Sequence, residues 1–176
     1  MTHDAQQRRL VLRAESGDRE AFDTLLRDIT APLLRYVTRV IGDAALAEDV
    51  VQDTLIAIVR KISWLTDPSL FRPWAYRIAS REAFRALKKR GRGGEATLPV
   101  QEGDAIVDPP PADPWQRERL LASLEKLSPA SRAVITLHYL EEMPLSEVAA
   151  VLDLSPGTVK SRLAYGLAQL RKENPA

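Results

Sequence analysis

Residues 144–172, PLSEVAAVLDLSPGTVKSRLAYGLAQLRK, decide how the C-terminal part of the chain folds. Leu145, Val148, Ala149 and Leu152 recur at helical spacing, and so do Val159, Leu163, Leu167 and Leu170, so two amphipathic helices are expected. Between them Asp153 stands where the chain must turn sharply, and Leu154 can plug the gap between the helices. Ser155 and Pro156 then supply an N-cap and a first-turn proline. This is the pattern of a helix-turn-helix, whose second helix enters the DNA major groove. Ser155 at the start of that helix, and Thr158, Lys160, Ser161 and Arg162 on its outward face, are donors suited to phosphates and base edges. An ordinary helical hairpin with a solvated basic face is the competing reading, and the rest of the chain must decide.

A second basic element is FRPWAYRIASREAFRALKKRGR, residues 71–92. Phe71, Trp74, Ala75, Ile78 and Leu87 can face inward, while Arg77, Arg81 and Arg85 follow i, i+4, i+8 spacing and share one face. Between Arg72 and Arg92 eight arginines and lysines, Lys88 and Lys89 among them, meet the single Glu82. A row of guanidinium groups beside aromatics fits a nucleic-acid backbone, with stacking platforms where strands separate. The alternative is a solvated helix whose aromatics are core, the reading adopted for Trp74; for the arginines, the near absence of acids within the stretch favours binding.

The opposite charge gathers upstream, where Glu15 to Asp53 holds nine carboxylates against four arginines. A helix expected over 45–62 buries Val50, Val51, Leu55, Ile58 and Ile62. Its outer face pairs Glu48 with Gln52 and Asp49 with Asp53, with Ile56 beside them. Interaction with the helix dipole accounts for Glu48 and Asp49. It does not account for Gln52, Asp53 and Ile56, whose natural complement is a basic protein surface.

Proline, glycine and acid concentrate in residues 91–114, GRGGEATLPVQEGDAIVDPPPADP, which reads as an extended linker. It divides the chain into a helical unit over 1–90, a linker over 91–114 and a second helical unit over 115–176. In the first, Phe22, Leu25, Leu26 and Ile29 make one stripe. Pro32 is expected to start a second helix with Leu33, Tyr36, Val37, Val40 and Ile41, which Gly42 and Asp43 end. With the acidic helix and a long one from Pro73, four helices and almost no strand signal give an all-α unit. The second unit adds a helix over 115–127 and another opened by Ser128 and Pro129 before the helix-turn-helix.

Composition excludes much else. With 45% hydrophobic and 28% charged residues and a net charge of +1, the 176-residue chain reads as globular and soluble. No apolar run approaches the roughly 20 residues that span a bilayer, and MTHDAQQRRL lacks the apolar core of a signal peptide, so no membrane insertion and a cytoplasmic location are expected. There is no cysteine, and His3 and His138 stand far apart, so neither a metal site nor another cofactor is expected. His138 lies in the apolar run ITLHYL and reads as a packed residue. With no G-x-S-x-G or P-loop pattern, no enzymatic activity is expected.

The order AEDVVQDTLIAIVRK, FRPWAYRIAS, a basic helix end, an acidic proline linker and LSEVAAVLDLSPGTVKSRLAYGLAQLRK resembles the extracytoplasmic-function (ECF) sigma factors of bacterial RNA polymerase. The likeness runs from about Asp18 to Lys172. It implies a sigma-2 domain whose helix over 47–61 docks on the β′ coiled coil of core polymerase through Glu48, Asp49, Gln52, Asp53 and Ile56. It further implies that residues 63–71 hold a base flipped from the minus 10 element, and that the following helix meets that element. Trp64, Phe71, Arg72, Arg77, Arg81, Arg85, Lys88 and Lys89 are the implied contacts. The second unit would be a sigma-4 domain that reads the minus 35 element through Ser155, Thr158, Lys160, Ser161 and Arg162 and meets the β flap. An anti-sigma factor is a further implied partner.

The chain departs from the family pattern at Asp67 and Pro68, where a glycine-acidic pair is common, and at Arg81 and Arg85, where Asn and Asp are common; these bear on the minus 10 preference. Pro144 replaces a common serine cap and Asp153 a common turn glycine, and aspartate tolerates the left-handed conformation. The alternative function is a helix-turn-helix regulator that acts without replacing the sigma subunit. It predicts α/β alternation and a phosphoacceptor pocket in the N-terminal half, and neither is visible.

Overall fold

The structure is a computed structural model that describes residues 3–91 and 124–173. The linker expected over 91–114, beyond its first residue, lies outside the described residues. So does the helix expected over 115–127, apart from a 3-10 turn at Leu124–Lys126. All described regular structure is helical, as expected, and no described helix is long and apolar enough to cross a membrane.

The first unit has four helices, but not the four expected. Helix α1, His3–Glu15, was not foreseen, because it buries only Val11 and Ala14 while Leu12 points outward. Helix α2, Arg19–Ile41, runs unbroken through Pro32, where two helices were expected. An interior proline removes a hydrogen bond and crowds the preceding turn, at a cost of about 3 kcal/mol. The stripe Ala21, Leu25, Ile29, Leu33, Tyr36, Val37 and Val40 is buried on both sides of that proline, and its burial outweighs the penalty. Pro32→Ala is therefore expected to raise the unfolding free energy by about 1 kcal/mol or more, the interior-proline penalty exceeding the ~0.4–1 kcal/mol by which proline stiffens the unfolded chain. A urea midpoint that does not rise would refute this.

Gly42 ends α2 in the left-handed conformation, φ 73°, and Asp43 caps helix α3, Ala44–Lys61, by accepting from Leu46 N–H at 3.0 Å. Two 3-10 turns, Ile62–Trp64 and Pro68–Leu70, lead to helix α4, Phe71–Lys89. The three long helices enclose Leu33, Tyr36, Ile58, Phe71 and Tyr76. Ser80 Oγ donates to the Tyr76 carbonyl at 2.7 Å, so the Tyr36 hydroxyl must donate to Ser80 Oγ, also at 2.7 Å. Burial pushes both phenols above their ordinary range, and for Tyr76 the Glu141 carboxylate adds to the effect.

The N-caps of α2 and α3 carry a pH dependence. Backbone N–H of Ala21, then Arg13, hold the Asp18 carboxyl below its ordinary value, and Leu46 N–H, then Arg90, do the same for Asp43. A depressed pKa contributes stability above the unfolded value of about 3.9 and loses it as pH falls through the folded value. The urea midpoint should therefore fall below about pH 4, and D18N/D43N, which keeps both caps without titrating, should fall less steeply. Parallel curves would refute the assignment.

The second unit holds helix α5, Pro129–Ile135, a π-helical turn at Thr136–Leu140, helix α6, Leu145–Leu152, and helix α7, Pro156–Glu173. Ser128 caps α5, as expected. Helix α7 crosses α5 closely at Gly166, where a Cβ would stand 2.6 Å from Ile135 Cδ1. One apolar core runs through both units. The Arg132 guanidinium donates to the Arg39 carbonyl at 3.2 Å, placing positive charge at the C-terminal end of α2. Further contact between the units lies at α4, described below.

Candidate DNA and polymerase surfaces

Helix α3 turns Val50, Val51, Thr54 and Ile58 inward. Glu48, Asp49, Gln52, Asp53 and Ile56 consequently all lie exposed on its other side, joined by Val59, which sequence reasoning did not single out. Because the helix starts at Ala44, its first turn holds no acid. Glu48 and Asp49 sit past the reach of the helix dipole, so that explanation for them falls away.

In the loop before α4, Asp67 accepts from Ser69 N–H at 2.9 Å and from its hydroxyl at 2.7 Å, which pins the turn that Pro68 opens. That leaves Trp64 outward, 72% exposed, and Leu70 outward beside the start of α4. Phe71, inward by its helical spacing but a DNA contact by the resemblance, is 1% exposed and packs into the core, where it begins the buried stripe of α4 that continues through Ala75, Tyr76, Ala79, Ala83 and Leu87. Trp74 is partly buried against the same core.

The arginine row faces outward as a set, but it is not short of acids, as its sequence neighbourhood suggested. Arg77 and Arg81 reach Asp153 at 3.6 and 3.5 Å, Arg85 reaches Glu82 at 2.8 Å, and Arg72 reaches Glu141 at 3.1 Å. Two of these acids belong to the second unit and lie some seventy positions away, beyond any periodicity argument. Lys88 and Lys89 are exposed near the end of the helix.

The helix-turn-helix is built as its sequence indicates. Val148, Ala149, Val159, Leu163 and Leu170 are buried, and Leu145, Leu152, Leu154 and Leu167 are partly so. Asp153 takes the left-handed conformation, φ 58° and ψ 45°. Ser155 Oγ accepts from Thr158 N–H at 3.1 Å and bonds the Thr158 hydroxyl at 2.8 Å, so both hydroxyls are engaged at the cap. Lys160 is exposed, Ser161 and Arg162 are half-buried, and burial lowers the Arg162 guanidinium below its ordinary value.

Comparison with known proteins decides between the two readings of this helix-turn-helix. Sigma-70 region 2 matches residues 25–93 and sigma-70 region 4 matches residues 117–170. The chain is 33% identical to the ECF RNA polymerase sigma factor SigL of Mycobacterium tuberculosis, over 89% of this chain and 92% of that protein. It is 31% identical to the RNA polymerase sigma-H factor of Pseudomonas aeruginosa, over 93% and 91%. The chain belongs to the ECF RNA polymerase sigma factors. As such it directs promoter-specific initiation of transcription. A regulator acting beside the sigma subunit is not favoured, since region 2 occupies the half where a sensory domain would stand. The solved structure of CnrH, in complex with the cytosolic domain of CnrY, superposes with a TM-score of 0.69 at 28% identity, covering 96% of each chain. Sigma factors are not enzymes.

Within this ECF sigma factor a buried acid that sequence reasoning missed is Glu141. It is 7% exposed, accepts from the Tyr76 hydroxyl, and takes Arg72 Nη2 at 3.1 Å on its carboxylate and 2.8 Å on its carbonyl. No local pattern marks it, because its partners come from α4.

Proposed function

We propose that the two units divide promoter recognition between them, residues 1–90 acting on the minus 10 element and residues 115–176 on the minus 35 element, joined by the linker over 91–114. The exposed face of α3, acidic around Ile56, docks on the β′ coiled coil of core polymerase, and the single observation that carries this is that all five of its residues point outward together. Trp64 and the loop over 63–71 receive a flipped base, which costs a few kcal/mol to extrude and so favours particular sequences. Arg72, Arg77, Arg81, Arg85, Lys88 and Lys89 follow the backbone of the separating strands. Lys160 and Arg162 read the upstream element with Ser161, and Ser155 and Thr158 position the start of α7.

Polymerase supplies the catalysis, and the sigma chain itself holds no catalytic residue. It works in the cytoplasm, where its second unit also meets the β flap. CnrH, similar to this chain over 96% of its length, forms a complex with the cytosolic domain of CnrY, which supports an anti-sigma factor as a further partner here. Run-off transcription with purified core polymerase on a fragmented genomic library tests the proposal. Defined start sites downstream of a shared pair of elements are expected, and transcription indistinguishable from core alone would overturn it.

A further inference from the structure

We propose that the cavity between α1, α2 and the start of α4 takes a second unstacked base of the displaced DNA strand, one that carries an exocyclic amine. This rests on the assignment of the loop over 63–71 and of α4 to the minus 10 element. The cavity measures about 290 Å³, close to the ~300 Å³ at which small-molecule sites begin. Its floor is apolar and made by Leu25, Ile29 and Phe71, all buried. Such a floor, with an aromatic ring in it, fits the face of a base. Phe71 also ends the loop that receives the first base, so the two sites adjoin.

The walls carry groups of the kind that read a base edge. Gln6 and Gln7 of α1 bring amides, each with a donor and an acceptor side by side. On α2, Asp28, Pro32 and Arg35 follow i, i+4, i+7 spacing and line the cavity from one face. Pro32 has no N–H, so the Asp28 carbonyl lacks its regular helical donor, and the Asp28 carboxylate adds a second acceptor at the same residue. Two acceptors select adenine, cytosine or guanine, which bear an amine, over thymine, which bears none. Arg35 is exposed and has no carboxylate partner among the described residues, which leaves its guanidinium for the phosphate of the same nucleotide. Arg72 and Glu141 also line the cavity and are engaged with each other. The placement gives α1 a task beyond its small core contribution. It packs on the Pro68–Leu70 turn as well as on α2, which holds its amides beside the end of the loop.

Transcription by the holoenzyme from a barcoded promoter library, randomised from the minus 10 element to the start site, tests this. The wild-type chain should disfavour thymine about tenfold at one position outside the loop's own, and D28A or Q6A/Q7A should bring that position close to parity. W64A should act at the loop's position instead. Asp28 and Gln6 are exposed, Gln7 is half-buried, and alanine favours a helix, so these chains should stay folded, which circular dichroism checks. Wild-type preferences in folded D28A and Q6A/Q7A chains, with W64A altering its own position, would overturn the second base and leave the minus 10 assignment standing. W64A without effect at any position would overturn that assignment.

Discussion

D49K/D53K is expected to weaken binding to core RNA polymerase by about two orders of magnitude while the chain stays folded. Both side chains point outward from α3, and neither is tied into an ion pair among the described residues, so reversing them removes no internal contact. Against a basic partner surface the reversal converts attraction into like-charge juxtaposition, which costs several kcal/mol, at about 1.4 kcal/mol per tenfold in affinity. Titration of labelled chain with core polymerase measures the effect, and far-UV circular dichroism checks the fold. Affinity equal to wild type in a folded variant would remove both residues from the docking face.

K160A/R162A should cost the holoenzyme affinity for the upstream promoter element, each lost base contact contributing about 1–3 kcal/mol. The two positions differ in kind. Lys160 is exposed, whereas Arg162 is already half-desolvated against the unit, so R162A also forfeits packing by its aliphatic stem. The informative comparison is between a matched and a scrambled upstream element. A loss confined to the matched sequence identifies base reading; an equal loss on both, with a shallower salt dependence, identifies phosphate contacts and refutes base reading.

What could be read from sequence was local. The helix-turn-helix was legible because its signals lie within a few residues of one another: two apolar stripes, an aspartate that tolerates φ 58°, and a serine cap. The outer face of α3 was legible because its buried stripe fixes the opposite side. Pro32 misled because a strong local breaker was overridden by burial along the whole of α2, and α1 was missed because two buried residues make no visible period. For Phe71 the helical period pointed inward and the resemblance pointed to DNA, and the packed structure follows the period. Beyond reach altogether were Glu141 and the acids that answer the arginine row, since those pairs exist only once the units meet.

The π-helical turn at Thr136–Leu140 has a consequence for how such a contact arises. A π turn amounts to one additional residue within an α-helix, and each residue rotates a helix by about 100°. Removing one residue from this turn would restore the regular winding and swing the following acid to another side, leaving Tyr76 and Arg72 without their carboxylate. Neither α4 nor α7 would be altered. In evolutionary terms, the contact of Glu141 with α4 can be gained or lost by a single codon that lies in none of the surfaces proposed to face DNA or polymerase.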